Sequence, residues 1–287
     1  MWLRKTNASG SAGSRLRLEA GRLGVLAIAV YISLIYVRAA AQTTSSGPGS
    51  GDPGYVAAET CAACHKTIWE TYRKTGMGRS FYRPAPSNTV ASDSPGKTFY
   101  HKPSDSYFSM LRREGKFYQR RYQIGPNGQQ MNVMEKQIDF VMGSGNHARA
   151  YLHRTARNTL VELPLGWYAE KGGYWAMNPG YDRPDHEGFR RKIPYDCMFC
   201  HNGYPRIPAG HDQPFAEPVY DDPLPEGIDC QRCHGPGGRH LQLAKTAGAR
   251  RDEIRNAIVN PSRLSAERRE EVCIQCHLET TSFPLPN

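Results

Sequence analysis

The chain's eight cysteines fall into four C-x-x-C pairs: Cys61 and Cys64, Cys197 and Cys200, Cys230 and Cys233, Cys273 and Cys276. Each pair is followed at once by a histidine: His65, His201, His234 and His277. No cysteine lies outside these units. Two thiols three positions apart can each form a thioether to a haem vinyl group, and the next residue then presents an imidazole to the iron from the proximal side. The pattern reads as four covalently attached c-type haems, with the eight cysteines as thioether anchors and the four histidines as proximal iron ligands. A zinc knuckle or a redox dithiol also uses C-x-x-C pairs, but neither requires a histidine in the same place after all four. A disulfide framework would not need pairs of fixed spacing.

A chain built around such groups need not fill its core with aliphatic side chains. Hydrophobic residues make up 39% of the 287, while glycine and proline number 28 and 21, more than the roughly one residue in eight of an average globular chain. The 22% of charged and 10% of aromatic residues exclude wholesale disorder. The length suits one or two compact domains.

Covalent haem attachment implies export, and the N-terminus has the matching pattern. Arg4, Lys5, Arg15, Arg17 and Arg22 form a basic region, Leu23 to Val37 is an uncharged 15-residue run, and Ala39-Ala40-Ala41 supplies small residues before Gln42. Fifteen helical residues rise about 22 Å against a hydrocarbon core of about 30 Å. That favours a cleaved signal peptide over 1–41, with retention of 23–37 as a single membrane anchor as the alternative. The expected location is periplasmic or otherwise extracytoplasmic, in a bacterium. Without its first 41 residues the chain carries 31 basic and 26 acidic side chains, a net charge of +5 rather than +10. Eight haem propionates can consume many of those cations; Arg190, Arg191, Lys192 and Arg232 lie beside motifs as candidates. Basic charge is then poor evidence for nucleic acid. No P-loop and no G-x-G-x-x-G is present, and no nucleic-acid partner is expected.

The expected fold is α+β and loop-rich, with short helices around the haems and a β-rich insertion between the first and second motifs. Residues 42–54 read as a flexible linker, and 55–287 as the tetrahaem domain. A short helical unit carries the first motif with Trp69 and Tyr72 behind it, and a Pro/Ser-rich stretch spans Arg83 to Gly96. The insertion, about 97–182, alternates aromatic segments with turns: Phe99-Tyr100, Tyr107 to Met110, Phe117 to Tyr122 and Met131 to Met134. Pro126-Asn127-Gly128 predicts one hairpin turn and Gly172-Gly173 a second. Beyond about Arg183 only Ala249 to Val259 and Ser265 to Cys276 look helical, the latter with Ser265 as N-cap.

Six histidines lie outside the motifs: His101, His147, His153, His186, His211 and His240. Four irons need four distal ligands if all are six-coordinate, so an open iron is not forced. The four motifs, with Cys230-Gln-Arg-Cys233-His234-Gly235-Pro236-Gly237-Gly238-Arg239-His240, resemble the tetrahaem cytochromes that serve hydroxylamine oxidation in nitrifying bacteria. The wider superfamily includes multihaem cytochromes fused to tetratricopeptide repeats. The resemblance covers roughly Tyr55 to the end and is loose in the β-rich insertion. It implies that His240, in the motif C-x-x-C-H-G-P-G-x-x-H, ligates a haem. The Gly-Pro-Gly turn would redirect the chain toward a neighbouring haem. The family tends to place a histidine twelve residues past the first proximal histidine, where this chain has Met77. Either methionine is the axial ligand there, with a raised potential, or it is a packing residue and that haem takes its ligand elsewhere or stays open. His147, in Gly143-Ser-Gly-Asn-His147, matches a histidine of repeat-fused relatives. His211, ten residues past His201, is the fourth candidate, and His101, His153 and His186 are the remaining ones.

The reading that follows is an electron carrier rather than a catalyst. Four haems would pass electrons to and from periplasmic or membrane redox proteins. Two rivals are an oxidoreductase acting on a small nitrogen or sulfur compound at an open haem, and the haem-bearing N-terminal part of a longer repeat protein.

Overall fold

Alternation with a period of two, broken by turn residues, dictates most of the observed architecture. The computed structural model describes residues 54–88, 98–211, 213 and 215–277, all within the compact unit Gly47–Asn287. The signal or anchor segment (1–41, with 23–37), the linker before Gly54 and part of the Pro/Ser-rich stretch lie outside the described residues. Among those described, no helix is long and apolar enough to cross a membrane.

A short strand β1 (Phe81–Tyr82) precedes the expected insertion, which opens with β2 (Thr98–His101), β3 (Ser106–Arg113), β4 (Lys116–Ile124) and β5 (Gln130–Ile138). It continues with β6 (Phe140–Gly143), β7 (Ala148–Arg154), β8 (Leu160–Glu162), β9 (Leu165–Tyr168) and β10 (Tyr174–Met177). Strands β2-β3-β4-β5 make an antiparallel meander. Arg113 pairs with Lys116 across the two-residue loop Glu114-Gly115. Both loop residues have positive φ (50° and 76°), the tight turn whose twist suits a hairpin and where glycine costs least. The Pro126-Asn127-Gly128 turn joins β4 to β5, with Gly125 N–H donating to Gln129 O at 2.8 Å. The Gly172-Gly173 turn joins β9 to β10. Both expected hairpins are present.

The second sheet runs β1-β6-β7-β9-β10, with β8 also paired to β7. Only Asp139 separates β5 from β6, so the chain steps between sheets at one residue. The Asp139 carboxylate accepts from the Arg154 backbone N–H (2.7 Å) and from Gln137 Nε2 (2.6 Å), which satisfies the corner. Along β6 and β7 successive residues serve two cores. Val141 and Tyr151 face a cluster with Phe108, Met110, Phe117, Ile138, Leu165 and Trp167 between the sheets. Phe140, Met142 and Leu152 face a second cluster with Ile193, Met198, Tyr220 and Leu224. Each large apolar side chain fully buried there contributes about 1.5–3 kcal/mol. The buried Gln119 side chain bridges the sheets, donating to Leu165 O (2.9 Å) and accepting from Leu165 N–H (3.0 Å).

The first three motifs lie on or beside α1 (Glu59–Ala62), α2 (Lys66–Tyr72), α3 (Tyr195–His201) and α4 (Gln231–His234). After them come α5 (Gly238–Lys245), α6 (Arg251–Asn256) and α7 (Ala266–His277). Three of these, α3, α4 and α5, stand where only loop was expected, although Gln242 to Lys245 are good helix formers. The second core seats α3 through Met198, a tertiary contact that local pattern does not disclose. In contrast, α1, α2, α5, α6 and α7 contain no buried residue. Short helices are marginal without tertiary packing, and these have no aliphatic core of their own.

Candidate functional site

The first and third motifs share one backbone device. His65 N–H donates to Cys61 O (2.9 Å) and His234 N–H to Cys230 O (3.0 Å), one helical turn that puts the histidine back over its first cysteine. Gly235, at φ 70°, then ends α4, and the chain re-enters a helix at Gly238 with His240 in its first turn. The rings of His65 and His240 face each other with centroids 6.3 Å apart and planes 22° from parallel. Together with His234 they line one cavity of about 340 Å³, whose apolar wall includes Ile68, Ile258 and Val259. Ile68 and Val259 are exposed, at 65% and 44%.

The imidazoles are oriented by carbonyls. Nδ1 of His234 lies 2.8 Å from Val259 O, that of His240 2.8 Å from Ile254 O, and that of His201 3.0 Å from Gly143 O. A carbonyl only accepts, so each Nδ1 carries the proton and the lone pair is left on Nε2. Metal-binding histidines characteristically make this contact through the nitrogen that faces away from the metal. His201 is further fixed by Ser80 Oγ, which donates to its carbonyl at 2.7 Å. Burial lowers the pKa of its imidazole.

The four motifs converge. The Cys61 and Cys230 thiols are neighbours, and their mutual interaction pushes Cys61 up and draws Cys230 down to about 7. Burial, then the proximity of Cys273 and Cys276, pushes Cys233 up. The Cys200 thiol lies 4.0 Å from Cys276 O, and Gln275 Nε2 donates to Arg232 O at 3.0 Å. Cys197 packs half-buried against the second core, and burial pushes its thiol up. Arg232, within the third motif, is buried between the rings of Phe199 (4.7 Å) and Tyr204 (3.9 Å) and donates to Gly203 O (2.7 Å). It thereby ties the third motif to the second. Beside Cys230 and Cys233, the buried Tyr72 hydroxyl has no hydrogen-bond partner among the described residues, and burial pushes its pKa up.

Cys64 departs from this convergence. The sequence makes Cys64 the second anchor of the first motif, equivalent to Cys61, but the structure does not treat the two alike. Cys61 is half-buried against Cys230, whereas Cys64 is exposed and takes no part in the contacts that join the motifs. The reason is local: α1 ends at Ala62, and Cys64 stands in the turn before His65, its N–H donating to Cys61 O at 3.3 Å. The spacing therefore sets the two cysteines on one turn without drawing Cys64 into the cysteine cluster.

Met77 opens a 3₁₀ turn (Met77–Arg79) wedged against three other segments. Its carbonyl accepts from Ile228 N–H (3.0 Å), and a Cβ on Gly78 would overlap the Tyr72 carbonyl oxygen. Gly145, at φ 75°, abuts Gly76 O on the loop that carries His147. Met77 and the exposed His147 thus stand on touching segments beside Gly143, the hydrogen-bond partner of His201. The Met77 side chain itself is 48% exposed. His211 Nδ1 donates to Glu217 O (2.9 Å) in the loop after the second motif.

The remaining histidines are engaged in or just past the insertion. Buried His101 uses both nitrogens, on Ser104 Oγ (2.8 Å) and Asp182 Oδ1 (3.1 Å). His186 accepts at Nδ1 from Gly188 N–H (3.1 Å), and His153 Nδ1 lies 3.0 Å from both Gln137 O and Asp139 Oδ2. Three of the four cations beside motifs also have protein partners outside the site. Arg190 donates to Glu187 O, Arg191 pairs with Glu162 and Lys192 with Glu217. Arg255 and Arg263, which the sequence did not single out, rim the cavity of His65 and His240.

Among the described residues no three His, Cys, Asp or Glu side chains converge as a metal-ion cage. A haem needs none, because the porphyrin supplies four of the iron's ligands. Paired cysteines, carbonyl-oriented imidazoles, facing rings, exposed apolar side chains and coreless helices all fit covalent haem. Comparison of the chain with family models, curated proteins and solved structures finds no match.

Proposed function

We propose that the chain is an exported tetrahaem c-type cytochrome that carries electrons between periplasmic or membrane redox proteins. The observation that carries this reading is the convergence of the four motifs. Cys61 neighbours Cys230, Cys233 neighbours Cys273 and Cys276, and Cys200 lies against Cys276. Groups anchored at those motifs would be held in contiguous order, first to third to fourth to second. When bound, each haem supplies a one-electron iron couple.

The chain's own residues would hold and tune those groups. The eight cysteines anchor the porphyrins, with Cys64 offering its sulfur from the exposed side of the first motif. His65, His201, His234 and His277 are the proximal ligands. His65 and His240 line one cavity with ring centroids 6.3 Å apart, and the His240 Nδ1–H is held by Ile254 O, leaving its Nε2 free. This supports His240 as the residue that would complete the ligation of the haem held by His65. Arg255 and Arg263 offer cations to propionates on the rim. Met77, His147 and His211 are the candidates for the other distal positions.

A coulometric reductive titration of the haem-loaded chain tests the proposal. Four electrons per chain, taken up reversibly, are the expected result. Uptake of fewer, or reduction that a small nitrogen or sulfur compound reverses catalytically, would overturn the carrier reading.

A further inference from the structure

Alternation along β3 and β4 gives the meander two unlike faces. Phe108, Met110, Phe117 and Gln119 point inward and are buried. Tyr107 on β3, with Tyr118, Arg120 and Tyr122 on β4, therefore point outward. Pairing sets Tyr100, Tyr107 and Tyr122 directly opposite one another on three adjacent strands. Their rings form a row with centroids 4.6 and 5.4 Å apart. The core between the sheets, then β6 and β7, lie between this face and the second core that seats α3. None of the four motifs falls within β2 to β5, so no haem anchor accounts for the face.

The side chains displayed there are mostly hydrogen-bond donors. Residues 98–138 carry seven Lys and Arg against three Asp and Glu. Lys116 is exposed and forms no ion pair among the described residues. Arg120 lies over Tyr122 at 5.9 Å and donates to Gln130 Oε1 at 2.7 Å, with no carboxylate partner among the described residues. Arg113 lies over Tyr118 at 4.4 Å and is paired with Glu135. The hydroxyls of Tyr107, Tyr118 and Tyr122 have no protein partner among the described residues and reach solvent. Tyrosine and arginine are the side chains that dominate binding hot spots. Held on strands and on one another, they lose little freedom when a partner arrives.

Size and charge select the occupant. Four strands about 4.8 Å apart, the longer ones eight or nine residues at about 3.3 Å each, present roughly 500 Å². A complex covering that area on both partners totals about 1,000 Å², below stable complexes and in the range of transient encounters. A second copy of the chain would bring the same positive charge and be repelled. Membrane surfaces recruit clusters of mobile lysines, whereas these guanidinium groups are held on rings. Carboxylates accept from ammonium, guanidinium and phenol alike. We infer that the outer face of the meander is a transient docking surface for a protein with a carboxylate-rich face.

The test is isothermal titration calorimetry of the full haem-loaded chain with an acidic plant-type ferredoxin at low salt. Three double variants accompany it: Lys116→Glu with Arg120→Gln, Tyr107→Phe with Tyr122→Phe, and Lys245→Gln with Arg251→Gln. The last pair removes exposed cations of α5 and α6, away from the face. The expected result is one-to-one binding that salt weakens, reduced about tenfold or more by the first variant and about threefold by the second. The third should change it less than about twofold. Phenylalanine keeps the ring row packed, so the second variant reads the hydroxyls even where the charge variant fails to fold. Absence of binding, or equal weakening by the third variant, would overturn the inference. Binding to phosphatidylglycerol vesicles that the first variant weakens equally would overturn it in favour of a membrane surface. Haem absorbance of the same samples reports the cytochrome reading separately.

Discussion

Replacing His240 with alanine isolates the contact that the site geometry supports best. The ring faces His65 at 6.3 Å and donates from Nδ1 to Ile254 O at 2.8 Å. Losing that hydrogen bond costs about 0.5–1.5 kcal/mol, partly offset because alanine is the best helix former and His240 lies within α5. A net loss of about 1 kcal/mol shifts the melting temperature by roughly 2–4 °C in a chain of this size, so H240A is expected to stay folded. The spectroscopic effect is large by comparison. One iron loses an axial imidazole, one haem becomes high-spin in the ferric state, and the reduced protein binds one more carbon monoxide per chain than wild type. Carbon monoxide titration followed in the Soret band reads this directly. An unchanged stoichiometry in folded, haem-loaded H240A would refute the facing-ring argument.

Further outcomes follow from other contacts. Met77→His should shift the highest-potential haem downward in a spectroelectrochemical titration if Met77 is an axial ligand, and leave it unmoved if the side chain only packs. Arg255→Gln or Arg263→Gln removes a cation worth about 1 kcal/mol at an exposed site, so one haem potential should fall by about 40 mV; an unchanged titration curve would contradict the rim assignment. Arg232→Leu should cost about 2–4 kcal/mol in denaturant unfolding, because it strips a buried cation from two aromatic rings and the Gly203 carbonyl. His186 has a lowered pKa, first through burial, then through His101, Arg121 and Arg183, with Asp185 opposing. The unfolded chain therefore takes up a proton before the folded one, and stability falls as pH drops below about 6.5. His186→Gln should flatten that dependence between roughly pH 7 and 5, as judged by unfolding midpoints.

The local geometry of the motifs was legible because it is written in adjacent residues: a C-x-x-C-H unit fits one helical turn, and His65 and His234 show that turn. The hairpins were legible for the same reason, since their glycines sit where the turn occurs. What sequence could not disclose depends on contacts between distant segments. The helix Tyr195–His201 exists because Met198 enters a core with Phe140 and Leu152. Spacing made Cys61 and Cys64 equivalent, yet only Cys61 meets Cys230, because the approach of the third motif decides which sulfur is covered. Arg191 looked like a propionate partner from its place beside a motif, yet the fold gives it Glu162. Arg255 and Arg263 reach the rim of a cavity that His65 enters from the far end of the domain's sequence, and nothing in their local pattern marks them.

The central claim is that four haems are attached through these four motifs. Intact mass of the chain, exported from a host with haem-attachment machinery, tests it most directly, with tryptic mapping of the cysteine peptides. The account predicts the polypeptide mass plus four haems, one on each of the pairs Cys61 with Cys64, Cys197 with Cys200, Cys230 with Cys233 and Cys273 with Cys276. A polypeptide carrying no haem, or cysteine pairs recovered as free thiols or bound zinc, would contradict it.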